Sequence, residues 1–377
     1  MTQAGVDLWI ANSITDLIQG DVKEHLPLEA ISLQGDVLGM GTTTSIDNGE
    51  LSFLPNSSGN TTIWKCEAAD GSIRALRPGD GSGHFPYLCF SADASACRVL
   101  LDPAELDFDA GKPLQELVSE AIELLKRQDR LFAAPIYGLR LELEWQSLVI
   151  TVASKLCMGQ QRRNTKIAYS ESSAGTAATT IYDLLQHYRL APKDLGNSND
   201  PVRYLGNSLA WNCCGFFDTN PSTGRITVPN PEAHLHLHGC SNDFRFGGHL
   251  HHEHLDSCLK AVNRFAIYPV QNIHYLSSDL AIEALRFEAG SLSFIVKNRG
   301  AMDVNDMGVA VVINDKYSSH LYLRLPWLAS GEAEQFEVPI ELSKGFNCLE
   351  VIADPEGQII EPISTLSNNR ARIELTI

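Results

Sequence analysis

The chain has 377 residues and a formal net charge of −17 at pH 7, so it is long enough for two domains and lacks the excess of lysine and arginine that nucleic acid or an anionic membrane requires. We therefore expect neither of these partners. The N-terminus has no basic segment before its short apolar stretch, and no run of about eighteen apolar residues follows, which predicts a soluble, cytoplasmic protein.

The region up to residue 130 mixes helix and strand patterns. Polar residues flank the apolar segment 14–18, which predicts a short helix. The turn signal Asp47-Asn48-Gly49 precedes Glu50 and predicts a β-hairpin over residues 42–54. The clearest helix is predicted over residues 113–127, where apolar side chains recur at spacings of three and four and a proline stands in the first turn.

The middle of the chain returns to strands. Apolar and charged residues alternate within 132–152, which predicts β-strand structure in this segment. Residues 158–207 are polar and irregular and indicate an insertion, with a short helix predicted at 179–188. Segments 209–218 and 225–228 then lead into a histidine-rich strand.

The last hundred residues have the regular spacing of an all-β domain. Short alternating segments follow one another at intervals of about ten residues without a helix between them, as in a β-sandwich. They are 292–298, 308–313, 321–325, 336–340, 349–353 and 371–377. We therefore predict two domains, residues 1–278 and 279–377.

Seven of the twelve histidines lie between His234 and His254. His234, His236 and His238 alternate with leucine, so in a strand they project from one face while the leucines enter a core. Imidazoles that converge on one face are costly to bury unless something binds them, and neutral imidazole is a strong ligand for transition metals. The following Gly-Gly pair lets the backbone turn or approach closely before His249. The pattern predicts a metal site.

Other interpretations of this stretch are open. A solvated cluster of surface histidines is one, although an expression tag is not, because tags lie at termini and do not interleave with leucine. Cys240 continues the even-numbered face and is either a further ligand, which would favour a closed structural site, or a small buried thiol. The nine cysteines are an odd number without regular spacing, which indicates reduced thiols.

The histidine stretch resembles α-acetolactate decarboxylase. The similarity rests on His236-Leu-His238 followed by Gly247-Gly248-His249, and on the upstream Gly35-Asp36, Gly41-Thr42 and Asp47-Asn48-Gly49-Glu50-Leu51. It extends over about residues 8–275. The resemblance implies an α+β domain with a mixed or antiparallel N-terminal sheet and a β-barrel-like metal-binding half, followed here by an immunoglobulin-like sandwich.

The resemblance also implies roles for particular residues. His236, His238 and His249 would bind Zn²⁺, and Glu50 would take the family's glutamate position near the metal, its alternative being a solvated hairpin charge. Zinc would stabilise the enediolate that forms when a small 2-hydroxy-3-keto acid, or a related β-keto acid, loses carbon dioxide. Glu50 would then deliver a proton to that enediolate.

The sequence departs from the family at one position that matters for the substrate. The family holds the substrate carboxylate with an arginine in a local Thr-Arg-Ser, and the corresponding residues 150–155 contain none. Lys155 offers a point charge there, and Arg140 offers a guanidinium if the strand register differs. For each of these two candidates a solvated strand charge is the alternative.

The C-terminal hundred residues resemble a different module, the CARDB type of immunoglobulin-like sandwich. The similarity rests on Val296-Lys-Asn298-Arg-Gly300, on the turn Leu328-Ala-Ser-Gly331-Glu and on Ala353-Asp354-Pro through Asn368-Asn369. It implies a domain that spaces, docks or oligomerises.

Together these features predict a zinc-dependent lyase of the acetolactate-decarboxylase type that acts on a small keto acid and forms a homodimer. Two alternatives stay open at this point. One keeps the fold but uses zinc for another carbonyl reaction, such as cyclisation, aldol chemistry or hydrolysis, as the missing arginine suggests. The other is a metal-binding scaffold without catalysis.

Overall fold

The computed structural model describes residues 4–19, 26, 28–42, 49–66, 72–77, 87–109, 111–151, 203–314, 320–362 and 365–377. The chain divides into two compact units, Met1–His274 and Tyr275–Ile377. The predicted boundary after residue 278 falls shortly beyond this division. The predicted turn residues Asp47 and Asn48, the candidate Lys155 and the short helix predicted at 179–188 lie outside the described residues.

The N-terminal unit is built on a large β-sheet, which has twelve strands among the described residues. The strands are β1 (Val6–Asn12), β2 (Val37–Thr42), β3 (Glu50–Pro55), β4 (Thr61–Cys66), β5 (Ile73–Ala75), β6 (Tyr87–Asp93), β7 (Val99–Leu101), β8 (Ile136–Thr151), β9 (Arg203–Asp218), β10 (Leu235–Ser241), β11 (Gly247–Leu250) and β12 (Cys258–Tyr275). Their order is β11-β10-β9-β8-β12-β1-β6-β2-β3-β4-β5, with β7 beside β12 and an additional pairing of β11 with β8.

Two α-helices occur in the described part of the chain, α1 (Ile14–Gln19) and α2 (Leu114–Arg127). Both correspond to predicted helices. The rest of the unit is mostly β, so the predicted α+β label is not supported, and the barrel-like form of the metal-binding half stays a prediction. The reason is that apolar residues in the N-terminal region recur mainly at period two, as in β1, where alternate side chains are buried. None of the described helices has both the length and the apolar composition that a membrane crossing needs.

Segments 136–141 of β8, 213–218 of β9 and 235–241 of β10 bury both of their faces. On one face Leu139, Leu141 and Leu237 belong to the core that also contains the apolar side of α2. The other face lies against β2 and β3, and the approach is close: a Cβ atom on Gly138 would lie 2.3 Å from Leu38 Cδ1. Arg140 and other residues of these segments that alternation alone would assign to solvent are therefore covered by a second layer.

Arg140 connects these two layers. Its Nε donates to Asp36 Oδ1 at 3.0 Å and its Nη2 donates to Val37 O at 2.7 Å. Its Nη1 donates to the carbonyl of Phe53 in β3. The Asp36 carboxylate also accepts a hydrogen bond of 2.6 Å from the Tyr268 hydroxyl in β12. This buried guanidinium thus links β8 to both β2 and β3.

The C-terminal unit has two antiparallel sheets. The strands are β13 (Leu280–Glu288), β14 (Ser291–Asn298), β15 (Val304–Ile313), β16 (Leu321–Leu328), β17 (Ala333–Pro339), β18 (Phe346–Ala353) and β19 (Arg370–Thr376). One sheet has the order β13-β14-β17 and the other β16-β15-β18-β19. Alternate residues of β14 enter the core they share, as Leu292, Phe294 and Val296 show. The prediction of an all-β C-terminal domain is confirmed, with β13 as a strand that the sequence did not indicate.

We expect Arg140→Met to lower the free energy of unfolding of the N-terminal unit by about 3–5 kcal/mol, because it leaves the Asp36 carboxylate and two strand carbonyls without their buried cation. Urea unfolding followed by tryptophan fluorescence measures this change. Arg264→Met is the matched control, since Arg264 pairs with Glu142 at the surface with side chains 44% and 42% exposed, and it is expected to cost less than about 1 kcal/mol. Equal losses in the two variants would contradict the connecting role of Arg140.

Candidate metal centre

Three histidines are brought together by the β10–β11 hairpin. His236 and His238 lie two residues apart on β10 and share a face, while Leu237 between them enters the opposite core. His249 lies directly opposite His238 in the antiparallel register. The predicted close approach at Gly247 is present, since a Cβ atom there would lie 2.6 Å from Cys66 Sγ and 3.0 Å from Gly239 O.

The imidazole nitrogens of these three residues converge on one point. One ring nitrogen from each of His236, His238 and His249 lies within 4.8 Å of the other two. His236 Nε2 and His249 Nδ1 are 3.0 Å apart. Two nitrogens bound to one zinc ion at tetrahedral angles are separated by roughly 3.3 Å, so this spacing suits a shared cation. The group could hold a metal ion.

Backbone carbonyls fix which nitrogen two of the ligands offer. His236 Nδ1 lies 2.7 Å from Ile226 O, and His238 Nδ1 lies 2.8 Å from Leu51 O. A carbonyl can only accept, so each Nδ1 carries the proton and donates it, and each Nε2 keeps its lone pair. Outer partners of this kind are what orient metal-binding imidazoles in proteins. The donor set therefore fits a divalent transition metal.

Burial keeps these rings neutral. Loss of solvent lowers the pKa of His236 to about 4 and places the pKa of His238 and of His249 well below the usual value. Neighbouring imidazoles act in the same direction, because a second positive charge in the cluster would repel the first. At pH 7 all three rings are in the unprotonated form that a metal binds.

Glu50 faces the same point from the other layer. It is the first residue of β3, and its Oε2 lies 3.4 Å from His238 Nε2. Burial raises the pKa of Glu50 to about 8, so its carboxyl group holds a proton at pH 7 when no cation is near. The cross-strand partners of Glu50 are Thr42 on β2 and, beyond it, Tyr87 on β6, and the three side chains share one face.

The remaining histidines have other surroundings. His234 Nδ1 bonds to Asp218 O at 2.7 Å and its ring stacks on Phe217. The His251 ring is 4.6 Å from that of His249, and its Nδ1 lies 3.0 Å from Glu253 Oε1. Cys240 is fully buried on β10 and lies outside the three-nitrogen group.

Of the two cations considered for the substrate carboxylate, the structure describes Arg140. Arg140 lies on the row of the sheet that contains Cys214 and His238, with β9 between it and the metal ligand. All three of its guanidinium nitrogens donate to Asp36, Val37 or Phe53, as described above. Lys155 lies outside the described residues.

Comparison with known proteins gives separate results for the two units. Residues 277–372 match the CARDB family model, which confirms the resemblance predicted for the C-terminal domain. None of the curated proteins matches the chain. A solved CARDB domain from Pyrococcus furiosus, in complex with di-metal ions, is 20% identical, with a TM-score of 0.22 over 28% of this chain and 93% of its own.

The N-terminal unit is similar to solved structures of acetolactate-decarboxylase type. The α-acetolactate decarboxylase of Bacillus subtilis strain 168 is 14% identical, with a TM-score of 0.45 over 71% of this chain and 88% of its own. A Staphylococcus aureus protein described as similar to that enzyme is also 14% identical, with a TM-score of 0.43 over 72% of this chain and 89% of its own.

We expect the full chain to bind one divalent ion at this centre and His238→Ala to weaken that binding by more than about a hundredfold, beyond the loss caused by removing an outer partner. Metal content after dialysis and the visible absorption of the cobalt-loaded protein measure it. His234→Ala is the control. His234 lies just before β10, its Nδ1 bonds to Asp218 O and not to the three-histidine group, and its loss should leave both readouts unchanged. Full metal stoichiometry in His238→Ala would overturn the ligand assignment.

The metal-free protein should lose stability in acid partly through His236. Its pKa is about 4 in the folded state against a usual value of 6.5, so the unfolded chain takes up a proton first as the pH falls. The stabilising contribution is therefore present above pH 6.5 and is lost on acidification towards pH 4, by up to about 1.4 kcal/mol per pH unit. Thermal midpoints measured with a chelator present should fall less steeply over this range in His236→Gln than in wild type. The exposed His320→Gln should behave like wild type, and identical slopes in all three proteins would contradict the assignment.

Proposed function

We propose that the N-terminal unit is a zinc-dependent lyase that decarboxylates a small 2-hydroxy-3-keto acid, the chemistry of the acetolactate decarboxylases its motifs resemble. The observation that carries the proposal is the meeting of three neutral imidazoles and one buried, protonated carboxyl group at a single point. Together they offer a binding site for a metal ion and a proton donor next to it.

His236, His238 and His249 would hold the zinc ion. Three imidazole ligands are typical of catalytic zinc because they leave a coordination position for substrate or water. Held by these residues, zinc would supply a Lewis acid for a substrate with neighbouring hydroxyl and ketone oxygens. The His236 ring is held by Ile226 O and the His238 ring by Leu51 O, so these two rings need not reorient when the site is filled.

Glu50 supplies the proton. As carbon dioxide leaves, the bond between C1 and C2 breaks and its electron pair moves towards the C3 oxygen. A proton from the Glu50 carboxyl group then goes to C2 as the C3 carbonyl re-forms, and the Glu50 carboxylate takes up a proton from solvent afterwards. Burial raises the pKa of this carboxyl group in the metal-free site, which favours the acid form that a proton donor needs.

We assign Arg140 to the fold and not to the substrate carboxylate. Its Nε, Nη1 and Nη2 already donate to Asp36, Phe53 and Val37. Binding a substrate through these nitrogens would break the hydrogen bonds that join β8 to β2 and β3. Lys155 as the carboxylate partner, a homodimeric assembly and a cytoplasmic location stay predictions from the sequence.

The proposal predicts that the zinc-loaded protein converts racemic 2-acetolactate into acetoin and carbon dioxide. Chelation should abolish the reaction, and zinc should restore it. Product formation is followed by gas chromatography for acetoin and by carbon dioxide release. An absence of acetoin from a protein that holds a full complement of zinc would rule out this substrate class.

A second prediction separates the acid from the ligands. Glu50→Gln keeps the shape of the side chain but has no acidic proton, so we expect kcat to fall by about 10²- to 10⁴-fold. Zinc affinity should change only a few-fold, because the three imidazoles remain. Glu142→Gln, at an exposed position on β8, is the control and should leave kcat unchanged. Loss of zinc together with activity in Glu50→Gln would show that Glu50 acts as a ligand.

A further inference from the structure

One backbone carbonyl beside the metal centre accepts two side-chain hydrogen bonds. Ile226 O accepts from His236 Nδ1 at 2.7 Å and from the Tyr87 hydroxyl at 3.1 Å. A carbonyl oxygen has two lone pairs, so both bonds form together. The phenol and the imidazole are thereby coupled through one atom.

Tyr87 is built into this position. It is the first residue of β6, its side chain is 1% exposed, and its ring lies nearly parallel to that of His236, with the centroids 6.1 Å apart. A buried phenol hydroxyl requires a hydrogen-bond partner, and Ile226 O is the carbonyl it reaches. Cys89 Sγ, 3.4 Å from the hydroxyl, is its other neighbour.

The carbonyl that Tyr87 contacts lies in a segment without regular structure. Ile226 falls between β9 and β10, where no strand partner fixes the direction of its peptide group. The segment is attached to α1 by the hydrogen bond from Thr15 N to Gly224 O at 3.0 Å. The Tyr87 hydroxyl attaches the segment to β6 through its hydrogen bond to Ile226 O. Without the hydroxyl, the Ile226 carbonyl keeps His236 as its side-chain partner but loses its link to β6.

We propose that Tyr87 is a positioning residue of the metal centre, whose hydroxyl holds the Ile226 carbonyl where it keeps the proton of His236 on Nδ1 and leaves Nε2 for the metal. This inference rests on the proposed metal-dependent function. It adds a residue that touches neither substrate nor metal. Its role differs from support of the fold because it acts on one property of one ligand, the choice between the two ring tautomers.

Tyr87→Phe in the full chain tests the proposal, with Tyr137→Phe as matched control. Tyr137 is equally buried, and its hydroxyl also bonds to backbone, at Phe132 O and Ala134 N, away from the histidines. The first readout is the tautomer of His236 in the metal-free protein, from long-range ¹H–¹⁵N correlation spectra. The second is zinc affinity by competition with a chelator, together with the visible spectrum of the cobalt-loaded protein.

We expect wild type and Tyr137→Phe to show His236 protonated on Nδ1 alone. Tyr87→Phe should show both tautomers, a zinc affinity lower by about tenfold and a changed cobalt spectrum. A single Nδ1 tautomer with unchanged affinity in Tyr87→Phe would overturn the proposal. If that variant fails to fold, wild type still decides: His236 protonated on Nε2 in the metal-free protein is equally contrary to the proposal.

These readouts need no substrate, so the two proposals fail separately. A wild-type protein that binds zinc but leaves acetolactate unchanged defeats the proposed reaction while the tautomer and affinity measurements still test Tyr87. An active enzyme whose Tyr87→Phe variant matches Tyr137→Phe in all three readouts defeats the positioning role alone.

Discussion

The N-terminal unit depends on the close packing of the β2–β3 hairpin against β8, β9 and β10. The two layers approach so closely that a strand carbonyl of one, Leu51 O, accepts a hydrogen bond from an imidazole of the other, His238. Arg140 holds this spacing, because its guanidinium donates to both strands of the hairpin from β8. His238 and Glu50 of the candidate site face each other across this contact, with Glu50 Oε2 3.4 Å from His238 Nε2, so their relative position follows from the packing of the two layers.

Burial in this layer has opposite effects on the two kinds of titratable group, and both favour the same chemistry. Removing water disfavours the charged form of every group. It therefore lowers the pKa of His236 to about 4 and raises the pKa of Glu50 to about 8. At neutral pH the imidazoles are unprotonated and the carboxyl group is protonated. One physical cause thus places unprotonated imidazoles and a protonated carboxyl group side by side, and burial is the largest cause of both pKa shifts.

Much of this arrangement could be predicted from sequence, where a local period decides the outcome. The period-two alternation of His236 and His238 with leucine fixes the shared face, and the three-and-four spacing of 114–125 fixes α2. The turn signal before Glu50 places the hairpin, although that hairpin's contact with the histidines is not a local property. The regular spacing of short strands similarly predicts the C-terminal sandwich. The strand β13 was not predicted, because its alternation is interrupted by a register shift between Glu283 and Arg286.

The sequence could not show which layer would cover the even-numbered face of β8, and the interpretation of Arg140 depends on that. On an uncovered strand its guanidinium would be in solvent or available to a substrate; under the β2–β3 hairpin it becomes the cation of a buried network. The same limit applies to Tyr87, which lies far from His236 in sequence and meets it only through the tertiary fold, where the two rings stack. The candidate metal ligands are thus recognisable from local pattern, whereas Leu51 and Tyr87, which meet them in space, lie on other strands and carry no local signal. A substitution in the covering layer should therefore alter the metal centre without touching a ligand, which makes the packing of the two layers part of the site's chemistry as well as of its stability.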